Sequence, residues 1–152
     1  MAEVLIDTNL VLLFVVGEAN PGAISTHRRL GAFDATDLAL LKNRLARYSG
    51  HVTLPNILTE TSNLLRIGKD PRSAEPAKLL VRYAQTAREL YVPSHDVGSR
   101  DEFFKFGLTD TAIASLFHEG ISVITVDFDF YGFLTYLGMD AINLRHDRSP
   151  SQ

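Results

Sequence analysis

Two short apolar runs in this chain each end on an aspartate. Val4-Leu5-Ile6 leads into Asp7, and Ile121-Ser122-Val123-Ile124-Thr125-Val126 leads into Asp127. Runs of this kind read as strands buried on both faces. A carboxylate at the end of such a strand is costly to keep charged unless something satisfies it. In an open α/β sheet, the carboxyl ends of the strands form the edge at which ligands bind. The two runs therefore favour a fold in which separate strands deliver acidic side chains to a common rim.

The rest of the chain alternates in the way such a fold needs. Residues 3–6 read as a strand. Asp7-Thr8-Asn9 can cap a helix over residues 9–16, which is apolar nearly all round and so buried. Residues 17–35, rich in Gly, Pro, Ser and His, read as a long loop of the functional or mobile kind. Asp37 starts a helix with Leu38, Leu41 and Leu45 on one face. Val52-Thr53-Leu54 reads as a strand, and Pro55 opens a helix to about Ile67, ended by Gly68 and Pro71. A more polar helix covers residues 75–89, followed by a brief extended piece, Tyr91-Val92-Pro93. Ser94 and Asp96 can cap a short helix through Phe103 and Phe106 that stops at Gly107. Thr109 is the expected cap of a helix from Asp110 to Glu119. Residues 128–137 read as a turn and short helix, and Ala141 to Leu144 as an edge strand.

Strands alternating with helices predict a three-layer α/β/α sandwich around a mostly parallel central sheet. No linker or repeat divides the chain. Residues 1–144 are expected to form a single domain, with 145–152 as a polar, frayed tail. A chain of 152 residues with 45% apolar content suits one core. It has no cysteine, which excludes disulfides and thiolate metal ligands. A formal net charge of -3 gives no global basic field for nucleic acid. It does not exclude a nuclease, because bound cations reverse the local field of acidic ligands. The N-terminus carries no secretion-signal pattern, and Leu10 to Val16 is far too short to span a bilayer. The expected location is the cytoplasm, away from membranes.

Asp7, Glu60, Asp110 and Asp127 stand on four different predicted elements. Taken singly they have ordinary readings: Asp7 and Asp110 as helix caps, Glu60 as a solvated helical residue, Asp127 and Asp129 as caps of a turn. Taken together, they suit a divalent cation, which holds several carboxylates at one edge. Two such ions about 3.5–4 Å apart can activate a water and stabilise the leaving oxygen of a phosphodiester. The five histidines show no ligand spacing, and metal-assisted hydrolysis does not require one.

The segments Val4-Leu5-Ile6-Asp7-Thr8-Asn9, Pro55-Asn56-Ile57-Leu58-Thr59-Glu60, Leu108-Thr109-Asp110-Thr111-Ala112-Ile113-Ala114 and Val123-Ile124-Thr125-Val126-Asp127-Phe128-Asp129-Phe130, in that order, resemble a PIN-domain ribonuclease. The resemblance spans residues 3 to about 144. It places Asp7, Glu60, Asp110 and Asp127 on the family's acidic cluster. Asn9 and Thr125 fall on polar supporting positions, and Asp129 on an additional acidic position of some members. It implies Mg²⁺- or Mn²⁺-dependent cleavage of RNA by metal-activated water, leaving 5′-phosphate and 3′-hydroxyl ends. Many small members are toxins of bacterial or archaeal toxin–antitoxin pairs, so it also implies a homodimer and an antitoxin protein as partners.

On this reading Asp7, Asp110 and Asp127 are the principal metal-facing carboxylates. Glu60 ligates, orients water or assists proton transfer. Asn9 hydrogen-bonds a carboxylate or phosphate, Thr125 orients Asp7 or Asp127, and Asp129 sits behind them. His27-Arg28-Arg29 in the long loop is the best candidate for a mobile phosphate clamp, through Arg28 and Arg29. The aromatic clusters 103–106 and 128–136 serve the core or an interface, with base stacking as the alternative. Competing functions are a non-toxin RNA-processing nuclease, a metal-dependent phosphatase, and a non-catalytic RNA- or protein-binding domain.

Overall fold

The computed structural model describes residues 2–148. Five strands form one sheet: β1 (Glu3–Ile6), β2 (Gly50–Thr53), β3 (Arg88–Glu89), β4 (Ser122–Thr125) and β5 (Asp140–Asn143). Their order is β3-β2-β1-β4-β5, and every pairing is parallel. The expected mostly parallel sheet is thus wholly parallel. Seven helices connect the strands: α1 (Thr8–Ala19), α2 (Ala35–Leu45), α3 (Pro55–Leu65), α4 (Ala74–Thr86), α5 (Ser94–Gly98), α6 (Phe103–Ala114) and α7 (Phe128–Tyr136). The architecture is a three-layer α/β/α sandwich.

The strand order carries the functional geometry. From β1 the chain moves outward through β2 to β3, and from β4 it moves the other way to β5. Right-handed crossovers then put the two sets of helices on opposite faces. The order of strand addition reverses between β1 and β4, which pair in parallel through Val4–Ser122, Leu5–Val123 and Ile6–Ile124. That reversal is the switch point at which parallel sheets open a crevice beyond their carboxyl ends. Asp7 and Asp127 lie just past those two strand ends.

Local chemistry explains the elements and their departures from expectation. Helix α1 packs against α2, α3 and α4 and buries eight of its twelve residues, so it needs no polar face. It continues through Gly17 to Ala19, beyond the expected end at Val16. A Cβ at Gly17 would lie 2.7 Å from Leu38 Cδ2, so glycine here permits close approach of α1 and α2. Helix α2 begins at Ala35, capped by Asp34. Asp37, the expected start, is its third residue and returns the capping-box bond to the Asp34 N–H at 2.9 Å. The loop between α1 and α2 is anchored by buried Ile24, Leu30 and Phe33.

β3 falls at 88–89, inside the expected 75–89 helix, because Val52 and Thr53 of β2 recruit that segment into the sheet. The helix expected from Asp110 to Glu119 ends at Ala114. Gly107, at φ +83°, breaks α6 where a stop is expected. Residues 145–148 are tied down, contrary to the expected fraying. Arg44 pairs with Asp147 at 2.5 Å, Arg148 with Asp34 at 2.8 Å, and Arg145 with buried Asp37 at 3.3 Å. Residues 149–152 of the expected tail lie outside the described residues. Among those described, no helix is long and apolar enough to cross a membrane.

Candidate active site at the sheet edge

Asp7 is the N-cap of α1, and its Oδ1 accepts the Leu10 N–H at 3.2 Å. Its Oδ2 accepts the hydroxyl of Thr125, the last residue of β4, at 2.5 Å. The same Thr125 oxygen accepts the Asp127 N–H at 3.1 Å, while the Asp127 carboxylate caps α7 by accepting the Phe130 N–H at 3.0 Å. Caps that are ordinary one by one are therefore joined across the switch point through a single fully buried hydroxyl.

Glu60, on α3, is held from two other elements. Its Oε2 accepts the Thr8 hydroxyl at 3.1 Å and its Oε1 the Thr109 hydroxyl at 2.6 Å. Thr109 serves Glu60, whereas the sequence suggested only a helix cap. Thr8 and Thr109 escaped the sequence reading as site residues. The available signal was adjacency: Thr8 follows Asp7 and Thr109 precedes Asp110.

Asp110 completes the group from the second half of α6. Burial raises its carboxyl from 3.8 to about 7, with further upward pushes from the negative charges of Asp7, Asp127 and Glu60. Asp7 is raised to about 6, again chiefly by burial. Hydrogen bonds from Thr125 and Leu10 oppose that rise, and the Asp127 charge adds to it. The charges of Asp7, Asp127 and Glu60 thus reach Asp110, and that of Asp127 reaches Asp7. Among the described residues, no three His, Cys, Asp or Glu side chains converge closely enough to form a ready cation cage. Glu60 and Asp7 instead spend oxygens on threonine hydroxyls.

Among the described residues, the remaining expected ones make no hydrogen bond to Asp7, Glu60, Asp110 or Asp127. Asn9 is exposed on the first turn of α1 and makes no side-chain hydrogen bond among the described residues. Asp129 is exposed on α7 and borders a separate hollow of about 480 Å³ with Lys105, Phe106 and Tyr136. It is not among the charges that shift Asp7 or Asp110. Arg28 and Arg29 lie beyond the far end of α1 from Asp7, on a groove of about 710 Å³. Phe128, one residue past Asp127, is 72% exposed. Phe106 is instead packed with Phe130 and Phe133, at ring distances of 5.5 and 5.1 Å. The chain matches no protein-family model and no curated protein.

Proposed function

We propose that the chain is a divalent-metal-dependent endoribonuclease. One observation carries the proposal: Asp7, Glu60, Asp110 and Asp127 come from four elements to the rim beside the switch point, and the charges of the other three add to the burial that lifts Asp110 to about 7. A fold gains nothing in stability from such crowding, whereas a site for a cation does. The donor set is all oxygen, which fits Mg²⁺ or Mn²⁺. Asp7, Asp110 and Asp127 would hold the cation, with Glu60 beside them. When bound, the ion supplies a water activated near neutral pH and positive charge for the leaving oxygen.

The chain's own groups do the positioning. Thr125 fixes the rotamer of Asp7 and ties it to the Asp127 backbone. Thr8 and Thr109 fix Glu60 at the side of the crevice. Hydrogen bonds behind a ligand of this sort set its direction and basicity. Phe128 presents an open ring face beside Asp127, which suits a nucleobase better than a small phosphate ester.

The resemblance to PIN-domain ribonucleases supports the same reading. It extends it to the toxin half of a toxin–antitoxin pair acting in the cytoplasm, with a homodimer and an antitoxin partner. The test is cleavage of a cellular RNA pool by purified protein in Mg²⁺, Mn²⁺ or chelator, beside Asp7→Asn. Sequenced 5′ ends that depend on metal and vanish in the variant are the expected result. A folded, metal-supplied wild type that cuts nothing would overturn the reading.

A further inference from the structure

Helices α1 and α3 both start near the acidic crevice and run away from it. At their far ends the groove of about 710 Å³ opens between the loop after α1, the end of α3 and the start of α4. That volume is in the range of ligand sites. Its floor is apolar, with Ala19, Leu65 and Pro76, and four arginines stand on its walls: Arg28, Arg29, Arg66 and Arg72. Arg72 is already engaged by both oxygens of Asp70, at 3.1 and 3.0 Å. Arg28, Arg29 and Arg66 make no ion pair among the described residues.

Two details show these arginines are presented by the backbone. Arg66 ends α3 at φ +56°, the single non-glycine residue with positive φ among those described. Glycine is the low-strain choice at such a helix end, so the side chain is what arginine contributes there. In the loop, the His27 Nδ1 accepts the Arg29 N–H at 3.1 Å, and buried Ile24 and Leu30 anchor either side. Buried side chains thus pin the loop on both sides of Arg28 and Arg29.

Along the helix axes the groove and the crevice are close. Arg66 lies six positions beyond Glu60 on α3, about 9 Å along the helix. Val16, on the groove wall, lies nine positions beyond Asp7 on α1, about 14 Å. We infer that this groove seats the RNA strand a few nucleotides from the bond to be cut, with phosphates on Arg28, Arg29 and Arg66 and a base on the apolar floor. The inference rests on the nuclease reading above and extends its substrate to a strand longer than the crevice alone would hold.

The test compares wild type, Arg28→Ala/Arg29→Ala and Arg66→Gly on single-stranded RNAs of about four and about twelve nucleotides, within the site sizes of single-strand binders. Both variants should raise KM for the longer RNA by about tenfold, leaving its kcat and the shorter RNA unchanged. In chelator, where nothing is cut, the salt slope for binding the longer RNA should fall by about 1.4 for the double variant and by about 0.7 for Arg66→Gly. Arg66→Gly should melt no lower than wild type, which separates lost contact from lost fold. Equal effects on both lengths, or unchanged salt slopes, would overturn the inference. So would tighter arginine-dependent binding of polyglutamate than of RNA, which would assign the groove to an acidic protein segment. A wild type that cuts neither RNA yet binds the longer one with an arginine-dependent slope would sink the nuclease reading while upholding the groove.

Discussion

The hydroxyl of Thr125 donates to the Asp7 carboxylate at 2.5 Å, joining residues 118 positions apart in sequence. It is the shortest link between the two halves of the acidic crevice, and it also receives the Asp127 N–H. Thr125→Val keeps the shape and removes the hydroxyl. A hydrogen bond to a buried charged group contributes about 1.5–3 kcal/mol, so the variant should lose about that much in urea unfolding at neutral pH. Thr125→Ser should recover most of it. Equal stability of Val and Ser variants would show that the hydroxyl does not hold Asp7.

Metal-free stability should carry the mark of the crowded carboxylates. Asp7 and Asp110 keep protons in the folded chain up to about pH 6 and about pH 7, whereas an unfolded aspartate loses its proton near 3.8. The folded state therefore binds more protons between those limits. Their contribution declines as pH rises from about 4 to about 7 and is flat above. Asp110→Asn removes most of that decline. After discounting for solvent at a half-buried position, it should be more stable than wild type by about 2–3 kcal/mol at pH 8, with the gap closing below pH 4. Parallel urea titrations in chelator at several pH values measure the difference. A constant gap across pH would contradict the assignment.

Cation binding should reverse that penalty. A ligand that binds only the folded state stabilises it by RT ln(1 + [L]/Kd), about 1.4 kcal/mol at tenfold excess over Kd. Mg²⁺ or Mn²⁺ should raise the wild-type melting temperature at pH 8 by a few degrees, and EDTA should return it. Asp7→Asn and Asp110→Asn should respond weakly or not at all. A melting curve indifferent to divalent ions would count against the crevice as a metal site.

Glu60 offers a test that leaves every carboxylate in place. Thr109→Val removes the 2.6 Å donor that positions it from α6. Loss of a positioning contact can reduce turnover about a hundredfold, so kcat should fall by about 10- to 100-fold, with KM little changed. Thr109→Ser should restore it. A defect in KM alone would point to RNA contact at Thr109 itself.

On the nuclease reading, Phe128 is the ring beside Asp127 that would take a base. Base stacking on an aromatic side chain is worth about 1–3 kcal/mol. Phe128→Ala should therefore raise KM for single-stranded RNA by at least about fivefold, and Phe128→Tyr should not. Loss of thermal stability in place of affinity would assign the ring to packing.

The fold was legible because strand runs and helical faces follow different periods, and the strongest runs were also the central strands β1 and β4. What escaped the sequence was decided by tertiary contact. The two-residue strand β3 has no periodicity of its own and exists because β2 offers it an edge. Gly17 looks like a helix stop, yet close packing on Leu38 carries α1 past it. The carboxylates announced themselves by standing beside apolar elements. Thr8 and Thr109 did not, since a hydroxyl's partner is set by the approach of α1, α3 and α6. Asp129 was expected to sit behind Asp127, but two positions along α7 it borders a different hollow with Lys105. Arg145 and Arg148 read as tail residues because nothing local reveals their carboxylate partners, Asp34 and Asp37, at the start of α2.

The pairing of β1 with β4 has a consequence for the order of synthesis. A chain emerging from the ribosome presents Asp7 and then Glu60 first, and the strand that completes the crevice comes more than a hundred residues behind β1. Until β4 slots in beside β1, Thr125 is not there to hold Asp7, and Asp110 and Asp127 have no neighbours to crowd. The nascent polypeptide therefore carries its first acidic residues without the arrangement that the folded chain gives them. Asp7 and Glu60 are thus synthesised long before the strand that carries Thr125 to Asp7.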